Sequence, residues 1–327
     1  MLASEGVNRI KSDLSIALCT CEGSFFLPKQ LESLASQTIL PGEIVVCDDA
    51  STDGTVGIIK EFAGKVPFRV NIIVNKDRLG AIKNFEQAIA LCKGKFIALC
   101  DQDDIWYENR LEKSLQCMAE VEKDTITPLL VHSDLSVIDR AGKLIAPSYM
   151  KARRIKHREE QTLNYLVAQN FVTGNTILFN RVLKEIALPV PDQAVMHDWW
   201  LALVAAATGN VNFIEQPTVQ YRQHRANVIG PGKMYSGKNL MRALDFEILE
   251  KELATVLSQA FALEERLKAC NLKNPEWLGL FLREVGTGKG LAPLKAAFRA
   301  GVHKQGLLRN MVYYMLLLKS DYKDYLR

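Results

Sequence analysis

The first hundred residues alternate between short, almost continuously apolar runs and longer stretches in which apolar residues recur every three or four positions. Short apolar runs without polar alternation are typical of strands in a sheet that is covered on both faces. Four such strands are predicted, at residues 14–19 (LSIALC), 43–47 (EIVVC), 69–74 (RVNIIV) and 95–100 (KFIALC).

Between these strands, the spacing predicts amphipathic helices over residues 25–37 and 80–92. Strands that alternate with helices form a mostly parallel, doubly wound sheet of the Rossmann-like α/β class. Ligands of such sheets bind in the crevice beyond the carboxyl ends of the strands. The pattern therefore predicts both a fold class and the edge of the sheet where a site would lie.

From residue 128 onward the pattern is mixed, and beyond residue 238 it is almost entirely helical. Further strands are expected at 128–139, 174–180 and 217–224, and a helix at 197–209 that a glycine ends. These patterns predict three parts of the chain, an N-terminal tail at 1–13, an α/β catalytic domain at 14–235 and a helical C-terminal extension at 236–327.

The composition is that of a globular protein, because 48% of the 327 residues are hydrophobic and can fill one large core or a core with a smaller appendage. The formal net charge of +4 is too small to indicate binding to nucleic acid, and no such partner is expected. No segment approaches the roughly 20 apolar residues of a membrane-spanning helix, and the N-terminus has no signal-peptide core. Seven cysteines without metal-ligand spacing indicate small buried hydrophobes, so we expect a cytoplasmic protein.

Carboxylates follow directly after two of the predicted strands. Asp48 and Asp49 follow the second strand, and Asp101 and Asp103 follow the fourth. Residues two apart in an extended segment point the same way, so Asp101 and Asp103 can present hard oxygen ligands together. Mg²⁺ or Mn²⁺ would suit them, and these ions usually take further oxygens from a substrate phosphate. The competing interpretation is that the acidic residues populate a solvated turn.

Asp48 and Asp49 have two possible roles. One can accept hydrogen bonds from a ligand, such as the imide N–H of a pyrimidine, while the other holds the turn. Both can equally hold the turn, with Ser51 or Thr52 as the cap of the following helix and Gly54 permitting a tight bend. In either case both acidic clusters are expected to face one crevice.

Three segments, in this order and at this spacing, resemble the nucleotide-binding half of the family 2 glycosyltransferases, which are inverting enzymes with the GT-A fold. They are residues 14–23 (LSIALCTCEG), 31–55 (LESLASQTILPGEIVVCDDASTDGT) and 93–106 (KGKFIALCDQDDIW). Four motifs are similar to those of bacterial rhamnosyltransferases of cell-surface polysaccharide assembly, namely 78–89 (RLGAIKNFEQAI), 101–106 (DQDDIW), 197–200 (HDWW) and 221–224 (YRQH). The resemblance implies dTDP-L-rhamnose as the donor, and a UDP-sugar is the alternative because the residues that contact thymine would also accept uracil.

The resemblance also implies roles for individual residues. Asp49 would contact the pyrimidine base, and Asp101 and Asp103 would form the metal-binding Asp-x-Asp motif, with His224 as a further ligand. Asp198 would be the general base that takes a proton from the acceptor hydroxyl. The competing interpretation of Asp198 is that a helix N-terminus simply favours a carboxylate there. Further donor contacts are implied for Asp48, Arg78, Lys83, Gln102 and Thr20.

The acceptor side is expected to include Gly174 and Asn175, within the segment 172–176 (VTGNT), and the aromatic pair Trp199 and Trp200. A glycine permits close approach of a ligand to the backbone, and an indole face can stack on a sugar. Tryptophans on an apolar helix more often lie in the core, so we expect one of the two to be buried.

Residues 293–319 interleave basic and apolar residues at helical spacing, which predicts a basic amphipathic helix. Such a helix can lie on the inner face of the cytoplasmic membrane and bring the enzyme to a glycan acceptor on a lipid carrier. It can equally pack on the catalytic domain or on a second subunit, which would give a homodimer.

Other classes of protein fit the sequence less well. A nucleotidyltransferase would carry a Gly-rich phosphate loop after the first strand, where this chain has TCEGSFF with a single glycine. A dinucleotide oxidoreductase would need G-x-G-x-x-G, which is absent from the sequence. A non-catalytic nucleotide-sugar-binding protein is a further alternative, and it predicts no turnover with any donor.

Overall fold

The structure is a computed structural model that describes residues 12–224, 245–319 and 321–326. Most of the expected N-terminal tail, residues 1–11, and the expected domain boundary between residues 235 and 236 lie outside these ranges. The three-part division of the chain therefore stays a prediction.

The strands alternate with helices through the first half of the described chain, as the sequence predicts. In chain order the strands are β1 (Leu14–Thr20), β2 (Glu43–Asp48), β3 (Arg69–Val74), β4 (Phe96–Asp101), β5 (Ile105–Trp106), β6 (Leu129–Ile138), β7 (Leu144–Ala146), β8 (Leu178–Asn180) and β9 (Asn210–Arg222). The helices up to β9 are α1 (Leu27–Ala35), α2 (Thr55–Ala63), α3 (Ala81–Leu91), α4 (Arg110–Val121), α5 (Tyr149–Arg153), α6 (Thr162–Leu166), α7 (Arg181–Ala187) and α8 (His197–Thr208). The later helices are α9 (Phe246–Ala269), α10 (Glu276–Thr287), α11 (Ala292–Ala300) and α12 (Leu307–Lys319), followed by a short 3-10 helix (Asp321–Tyr325).

The described strands form one sheet in the order β3-β2-β1-β4-β8-β6-β9-β5, and β7 pairs with β6 beside this path. Strands β1 to β4 are parallel to their neighbours within that group. The short β8 is antiparallel to both β4 and β6, and β9 runs parallel to β6. The predicted α/β class, with a mostly parallel, doubly wound sheet and with helices at the C-terminal end of the chain, is confirmed.

Both faces of the central strands are buried, because successive side chains point to opposite sides of the sheet. Leu14, Ile16 and Leu18 of β1 belong to a core with helices α1, α2 and α4. Ala17 and Cys19 belong to a core with α3, α8 and the C-terminal helices. The outer strand β3 differs from the prediction of a fully covered strand, since it is at the edge of the sheet and is only partly buried.

Helix α8 carries the residues of greatest interest in the second half of the chain, and its predicted extent is confirmed. Gly209 follows its last residue, and the Gly209 N–H donates to the Ala205 carbonyl at 2.8 Å. A Cβ atom at Gly209 would lie 1.9 Å from the Pro128 carbonyl oxygen. A glycine is therefore needed here because the start of β9 passes so close to the chain that enters β6.

Two predicted strands differ from the structure in extent, and one predicted helix cap is wrong. The strand expected at 174–180 is limited to Leu178–Asn180, because a 3-10 turn occupies Gly174–Thr176. The strand expected at 217–224 is the second half of the longer β9. Neither Ser51 nor Thr52 caps α2. The residue before the helix is Gly54, which has a left-handed backbone conformation, and no side chain caps the helix.

The single amphipathic helix predicted over 293–319 is also wrong, because Gly301 ends α11 in a left-handed conformation and α12 starts only at Leu307. One face of the pair packs on the protein, with Ala297 and Leu317 fully buried. The opposite face leaves apolar side chains exposed. These are Phe298, Leu307, Leu308, Met311, Met315 and Leu318, which we call the exposed stripe.

Two further observations concern the class of protein. No helix within the described ranges has both the length and the apolar character required to traverse a bilayer. All seven cysteines lie in described residues and none is in a disulfide, and four of them are buried, as expected for small apolar residues.

Candidate active site

The carboxyl ends of β1, β2 and β4 lie side by side at one edge of the sheet. The strand register pairs Thr20 with Asp48 and Cys19 with Asp101. Asp49, Asp101 and Asp103 line the same cleft, so the expectation that both acidic clusters face one crevice is confirmed. The cleft has a volume of about 1160 Å³ and extends from these strand ends to helices α8, α9 and α12.

The Asp-x-Asp segment and His224 come together at the floor of this cleft. His224 Nε2 is hydrogen-bonded to Asp103 Oδ2 at 2.7 Å, and its ring stacks on Phe26 at 4.7 Å between centroids. Asp101 is the last residue of β4 that pairs with β1, and it is partly buried. Two of the three predicted metal ligands are thus in direct contact, and the third lines the same space.

Negative charge accumulates at this point. Burial, together with the charges of Asp103 and Asp198, raises the pKa of Asp101 to about 7. Burial also raises the pKa of Asp104, which lies beneath the cleft. Its carboxylate accepts hydrogen bonds from the Asn175 side chain and from the Arg222 N–H. Carboxylates are therefore concentrated in this part of the cleft.

Arg110 supplies the positive charge behind these carboxylates, and the sequence analysis missed it. Its guanidinium lies 3.3 Å from the centroid of the Trp106 ring and donates to the carbonyls of Asn175 and Leu99 at 2.5 and 3.2 Å. Arg110 is within electrostatic range of Asp101, and its positive charge partly opposes the increase in the Asp101 pKa that burial causes. An arginine in an amphipathic helix normally predicts an exposed side chain, and only its position just after the acidic segment could have suggested a buried one.

The described ranges contain no group of three His, Cys, Asp or Glu side chains already arranged to hold a metal ion. The side chains present nevertheless fit a hard divalent cation, because Asp101 and Asp103 offer oxygen ligands and His224 offers an imidazole nitrogen. Burial is the largest cause of the raised pKa of Asp101, and the Arg110 guanidinium offsets it only in part. The metal site thus stays a prediction that the chemistry of the donor set supports.

The two carboxylates after β2 have different environments. Asp48 is fully buried and accepts from Thr20 Oγ1, Ser51 N and Ser51 Oγ at 2.7 to 2.9 Å. Asp48 holds the turn, as one of the two alternatives for these carboxylates predicted. It does not line the cleft, so the structure does not bring it to the side where a donor contact was predicted. Thr20 itself does line the cleft.

Asp49 lines the cleft while it fixes the loop before α3. Its two carboxylate oxygens accept from Leu79 N at 2.7 Å, Gly80 N at 2.9 Å and Asn75 Nδ2 at 3.1 Å. This loop carries Arg78, which also lines the cleft and pairs with Glu22 at 2.5 Å. The structure thus brings Asp49 and Arg78 together at the predicted nucleotide side, and their contacts to a nucleotide stay a prediction.

Gln102 and Lys83 were both predicted to contact the donor. Gln102 lines the cleft and ties β4 to the turn after β1, since its amide accepts from Cys21 N at 2.8 Å and donates to Cys21 O at 2.9 Å. Lys83 does not line the cleft. Its ammonium instead contacts Glu86 and the Val190 carbonyl, both at 3.0 Å.

Asp198, in the first turn of α8, faces the Asp-x-Asp segment across the cleft. Its carboxylate accepts from Trp199 N at 2.7 Å and from Gly174 N at 3.0 Å. Burial raises its pKa to about 6. A Cβ atom at Gly174 would lie 3.2 Å from Asp198 Cβ, so the glycine lets the backbone approach the carboxylate.

The four predicted acceptor residues divide into two pairs. Gly174 and Trp199 line the cleft, and the Trp199 indole N–H donates to the Leu166 carbonyl at 2.8 Å. Asn175 and Trp200 are buried outside the lining. The expectation that one tryptophan belongs to the core is confirmed for Trp200, and Trp199 is also buried in that core although it lines the cleft.

Solved structures with the same fold indicate the class of protein. The chain is similar to a Staphylococcus aureus TarS fragment, residues 1–349, with a TM-score of 0.54 at 17% sequence identity, over 95% of this chain and 88% of the other. The structure of that fragment in complex with UDP-GlcNAc matches with a TM-score of 0.53 at 16% identity, over 95% and 89% of the two chains. The fold is the GT-A fold of glycosyltransferases.

The sequence then gives the family. The model of the family described as "Glycosyl transferase family 2" matches residues 15–187, which is more than half of the chain. The chain belongs to glycosyltransferase family 2, and the resemblance inferred from its motifs is confirmed.

Individual relatives are distant. The chain is 25% identical over 235 residues to the dTDP-rhamnosyl transferase RfbG of Shigella flexneri, covering 68% of this chain and 76% of that protein. It is 29% identical over 205 residues to an Escherichia coli protein, the UDP-Glc:alpha-D-GlcNAc-diphosphoundecaprenol beta-1,3-glucosyltransferase WfgD, covering 62% and 72%. An uncharacterized Mycobacterium tuberculosis protein, Rv1520, is 24% identical over 213 residues, which are 64% of this chain and 59% of that protein. The chain therefore aligns with less than two thirds of the length of that relative.

Proposed function

We propose that this protein transfers a sugar from a nucleotide-sugar donor to a hydroxyl group of a growing cell-surface polysaccharide, with inversion at the anomeric carbon. The observation that carries the proposal is the position of Asp198, which faces the strand-end carboxylates in one cleft and has a pKa raised to about 6 by burial. A general base works best when its pKa lies near the working pH. The family membership supports sugar transfer as the reaction.

In the proposed reaction, Asp198 takes the proton of the acceptor hydroxyl as its oxygen attacks the anomeric carbon. The bond between that carbon and the phosphate oxygen of the donor breaks on the opposite face, and the nucleoside diphosphate leaves with the electron pair. The N–H groups of Gly174 and Trp199 hold the Asp198 carboxylate in place. A single displacement of this kind inverts the anomeric centre.

Asp101, Asp103 and His224 would hold a Mg²⁺ or Mn²⁺ ion with the donor. Such an ion, when bound, supplies positive charge to the diphosphate as it leaves. The short contact between Asp103 and His224 and the raised pKa of Asp101 support this part of the proposal. Arg110 provides a fixed positive charge on the other side of the same carboxylates.

We propose dTDP-L-rhamnose as the donor, and a UDP-sugar is the alternative. The similarity to the dTDP-rhamnosyl transferase RfbG, over 68% of this chain, supports the first. The relative named for UDP-Glc and the TarS complex with UDP-GlcNAc support the second. Asp49 and Arg78 lie at the side of the cleft where the nucleotide would be bound, and either pyrimidine base would fit the same contacts.

For the acceptor, we propose a glycan on a lipid carrier at the inner face of the cytoplasmic membrane. A relative whose acceptor is named as a diphosphoundecaprenol-linked sugar supports this choice. The exposed stripe would contact the membrane surface, because exposed Lys295 and Arg299 lie next to its Phe298 and can pair with anionic lipid headgroups. Pairing of two stripes in a homodimer is the alternative outcome.

A donor panel tests the reaction. The purified protein is incubated with dTDP-L-rhamnose and with UDP-sugars, in the presence of Mn²⁺ or EDTA and a membrane extract that contains acceptor, and the release of nucleoside diphosphate is measured. We expect release from one donor class and its loss with EDTA. Asp103→Ala should abolish Mn²⁺-dependent nucleotide binding, whereas Asp124→Ala, which changes an exposed carboxylate before β6, should not. Absence of turnover with every donor would indicate a non-catalytic binding protein instead.

A further inference from the structure

The cleft continues past Asp198 into a second half that the C-terminal helices form. Side chains from α9 and α12 line it, and apart from Glu252 and Thr255 of α9 they are apolar. They are Leu249, Leu253 and Val256 of α9 and Val312 and Leu316 of α12. The helical C-terminal extension is therefore part of the cleft wall, and this half suits an apolar ligand group.

One basic side chain, Lys304, lies within this apolar half of the cleft. It belongs to the turn between α11 and α12, and the Asn310 side chain fixes its backbone. The Lys304 N–H donates to Asn310 Oδ1 at 2.7 Å, and the Asn310 amide donates to the Lys304 carbonyl at 2.5 Å. The turn thus fixes the backbone position from which the Lys304 side chain extends.

Lys304 has no direct ion-pair partner among the residues that the structure describes. Its ammonium group lies 5.7 Å from the centroid of the Tyr313 ring and makes no hydrogen bond or salt bridge with any residue that the structure describes. The nearest charged groups are the Glu252 carboxylate, which also lines the cleft, and the Arg309 guanidinium. Burial lowers the pKa of Lys304, so holding its charge here costs free energy that an anionic ligand would recover.

We infer that this half of the cleft, formed by the five apolar side chains and Lys304, binds an amphipathic acceptor in which an anionic phosphate group adjoins an apolar chain. The inference rests on the proposed function, since it assigns the acceptor side of the same cleft. Lys304 binds the phosphate, and the apolar side chains of α9 and α12 pack against the chain. A prenyl diphosphate has this combination of groups.

Binding of three probes tests the inference, with quenching of tryptophan fluorescence or calorimetry as the measurement. The probes are farnesyl diphosphate, farnesol and inorganic pyrophosphate, each titrated with and without saturating nucleoside diphosphate and Mn²⁺ to fill the donor half. We expect farnesyl diphosphate to bind at least about tenfold more tightly than either of the others, because only it contacts both Lys304 and the apolar wall. Equal affinity for farnesol or for pyrophosphate would overturn the inference.

Variants at Lys304 separate its charge from its packing. Lys304→Met should weaken farnesyl diphosphate binding by about tenfold or more and leave farnesol binding unchanged, whereas Lys304→Arg should retain most of the affinity. Lys273→Met, at an exposed position between α9 and α10, is the matched control and should bind as the parent does. Lys304→Gln is a second neutral variant if methionine disturbs the fold. Parental affinity in a folded neutral variant would contradict the role of Lys304.

The same titrations distinguish this inference from the proposed function. Nucleoside diphosphate binding to the parent protein is measured first, and its absence would count against the donor site alone. Farnesyl diphosphate binding without nucleotide reports on the helical half of the cleft separately.

Discussion

At the scale of single residues, the cleft places similar carboxylates in different environments. Asp48 is fully hydrogen-bonded within a turn, Asp103 contacts a histidine, and Asp198 is held by two backbone N–H groups. Environment, and not residue type, separates a carboxylate that holds the fold from one that can exchange a proton.

Replacement of Asp198 by asparagine tests the assignment of the base. Asp198→Asn keeps the size of the side chain but removes the proton acceptor, so we expect donor binding to persist while kcat falls by about 10²–10⁴-fold. Isothermal titration with donor and Mn²⁺, together with an assay of sugar transfer, measures the two effects. Transfer at the parental rate would rule out Asp198 as the base.

The pH dependence follows from the same side chain. The Asp198 pKa of about 6 lies above its ordinary value, and only the deprotonated form accepts a proton. We therefore expect kcat/KM for the acceptor to fall about tenfold per pH unit below pH 6. The raised pKa also means that the proton stabilises the folded state at low pH and that this stabilisation is lost as the pH rises through 6. Asp198→Asn should therefore be at least as stable as the parent at pH 7.5, and this advantage should disappear near pH 4.

The sequence predicts which carboxylates reach the cleft but not which side chains support them. Asp101 and Asp103 were found because an apolar run ends in acidic residues, and that signal is local. The burial of Arg110 and the contact between Asn175 and Asp104 depend on segments far apart in the chain. Lys83 was assigned by resemblance alone, and its contact with the Val190 carbonyl could not be inferred from its neighbours in the sequence.

At the scale of helices and strands, β6 and the parallel strands β1 to β4 were predicted almost to the residue, and the remaining strands were not. Strands β1, β2 and β4 are continuous apolar runs. Such runs are typical of strands that are covered on both faces, so the sequence predicts them well. Strand β9 begins in a polar segment and is recruited by its pairing with β6, so its first half carries no local signal. The break between α11 and α12 depends on Gly301, whose left-handed conformation interrupts an otherwise regular amphipathic pattern.

Gly209 offers a test of the junction between α8 and β9. Gly209→Ala would place a methyl group 1.9 Å from the Pro128 carbonyl oxygen, so the backbone must move. We expect a loss of about 1–3 kcal/mol in the free energy of unfolding, measured by urea denaturation. Gly57→Ala is the control, because Gly57 is exposed within α2 with open space around it and should gain stability. Equal stability of the Gly209 variant and the parent would show that the junction is not tightly packed.

At the scale of the whole molecule, the C-terminal helices serve two surfaces at once. Val312 and Leu316 of α12 line the cleft, while Met311 and Met315 of the same helix belong to the exposed stripe. A ligand in the cleft and a surface outside it are therefore separated by the thickness of one helix. This arrangement supports the proposed use of an acceptor that is anchored in a membrane.

Vesicle binding tests the exposed stripe. Leu308→Glu with Met311→Glu should reduce binding to phosphatidylglycerol vesicles by about tenfold, because both side chains lose apolar contact and gain repulsion from anionic lipid. Co-sedimentation with vesicles is the measurement. Leu144→Glu with Ile145→Glu alters two comparably exposed apolar residues on β7 and should leave binding unchanged. If the parent does not bind vesicles and light scattering finds a dimer that the stripe variant loses, the stripe is a subunit contact instead.

The buried guanidinium of Arg110 has a consequence for the catalytic cycle. It is stacked on Trp106 and bound to backbone carbonyls. Unlike a bound metal ion, this charge therefore cannot dissociate from the protein. A permanent counter-charge of this kind limits the repulsion among the strand-end carboxylates during the interval after one nucleoside diphosphate has departed and before the next donor arrives. In the proposed reaction, the enzyme without ligand would keep its shape between turnovers, and the proposed Mg²⁺ or Mn²⁺ ion would need to bind only tightly enough to accompany each donor and each leaving group.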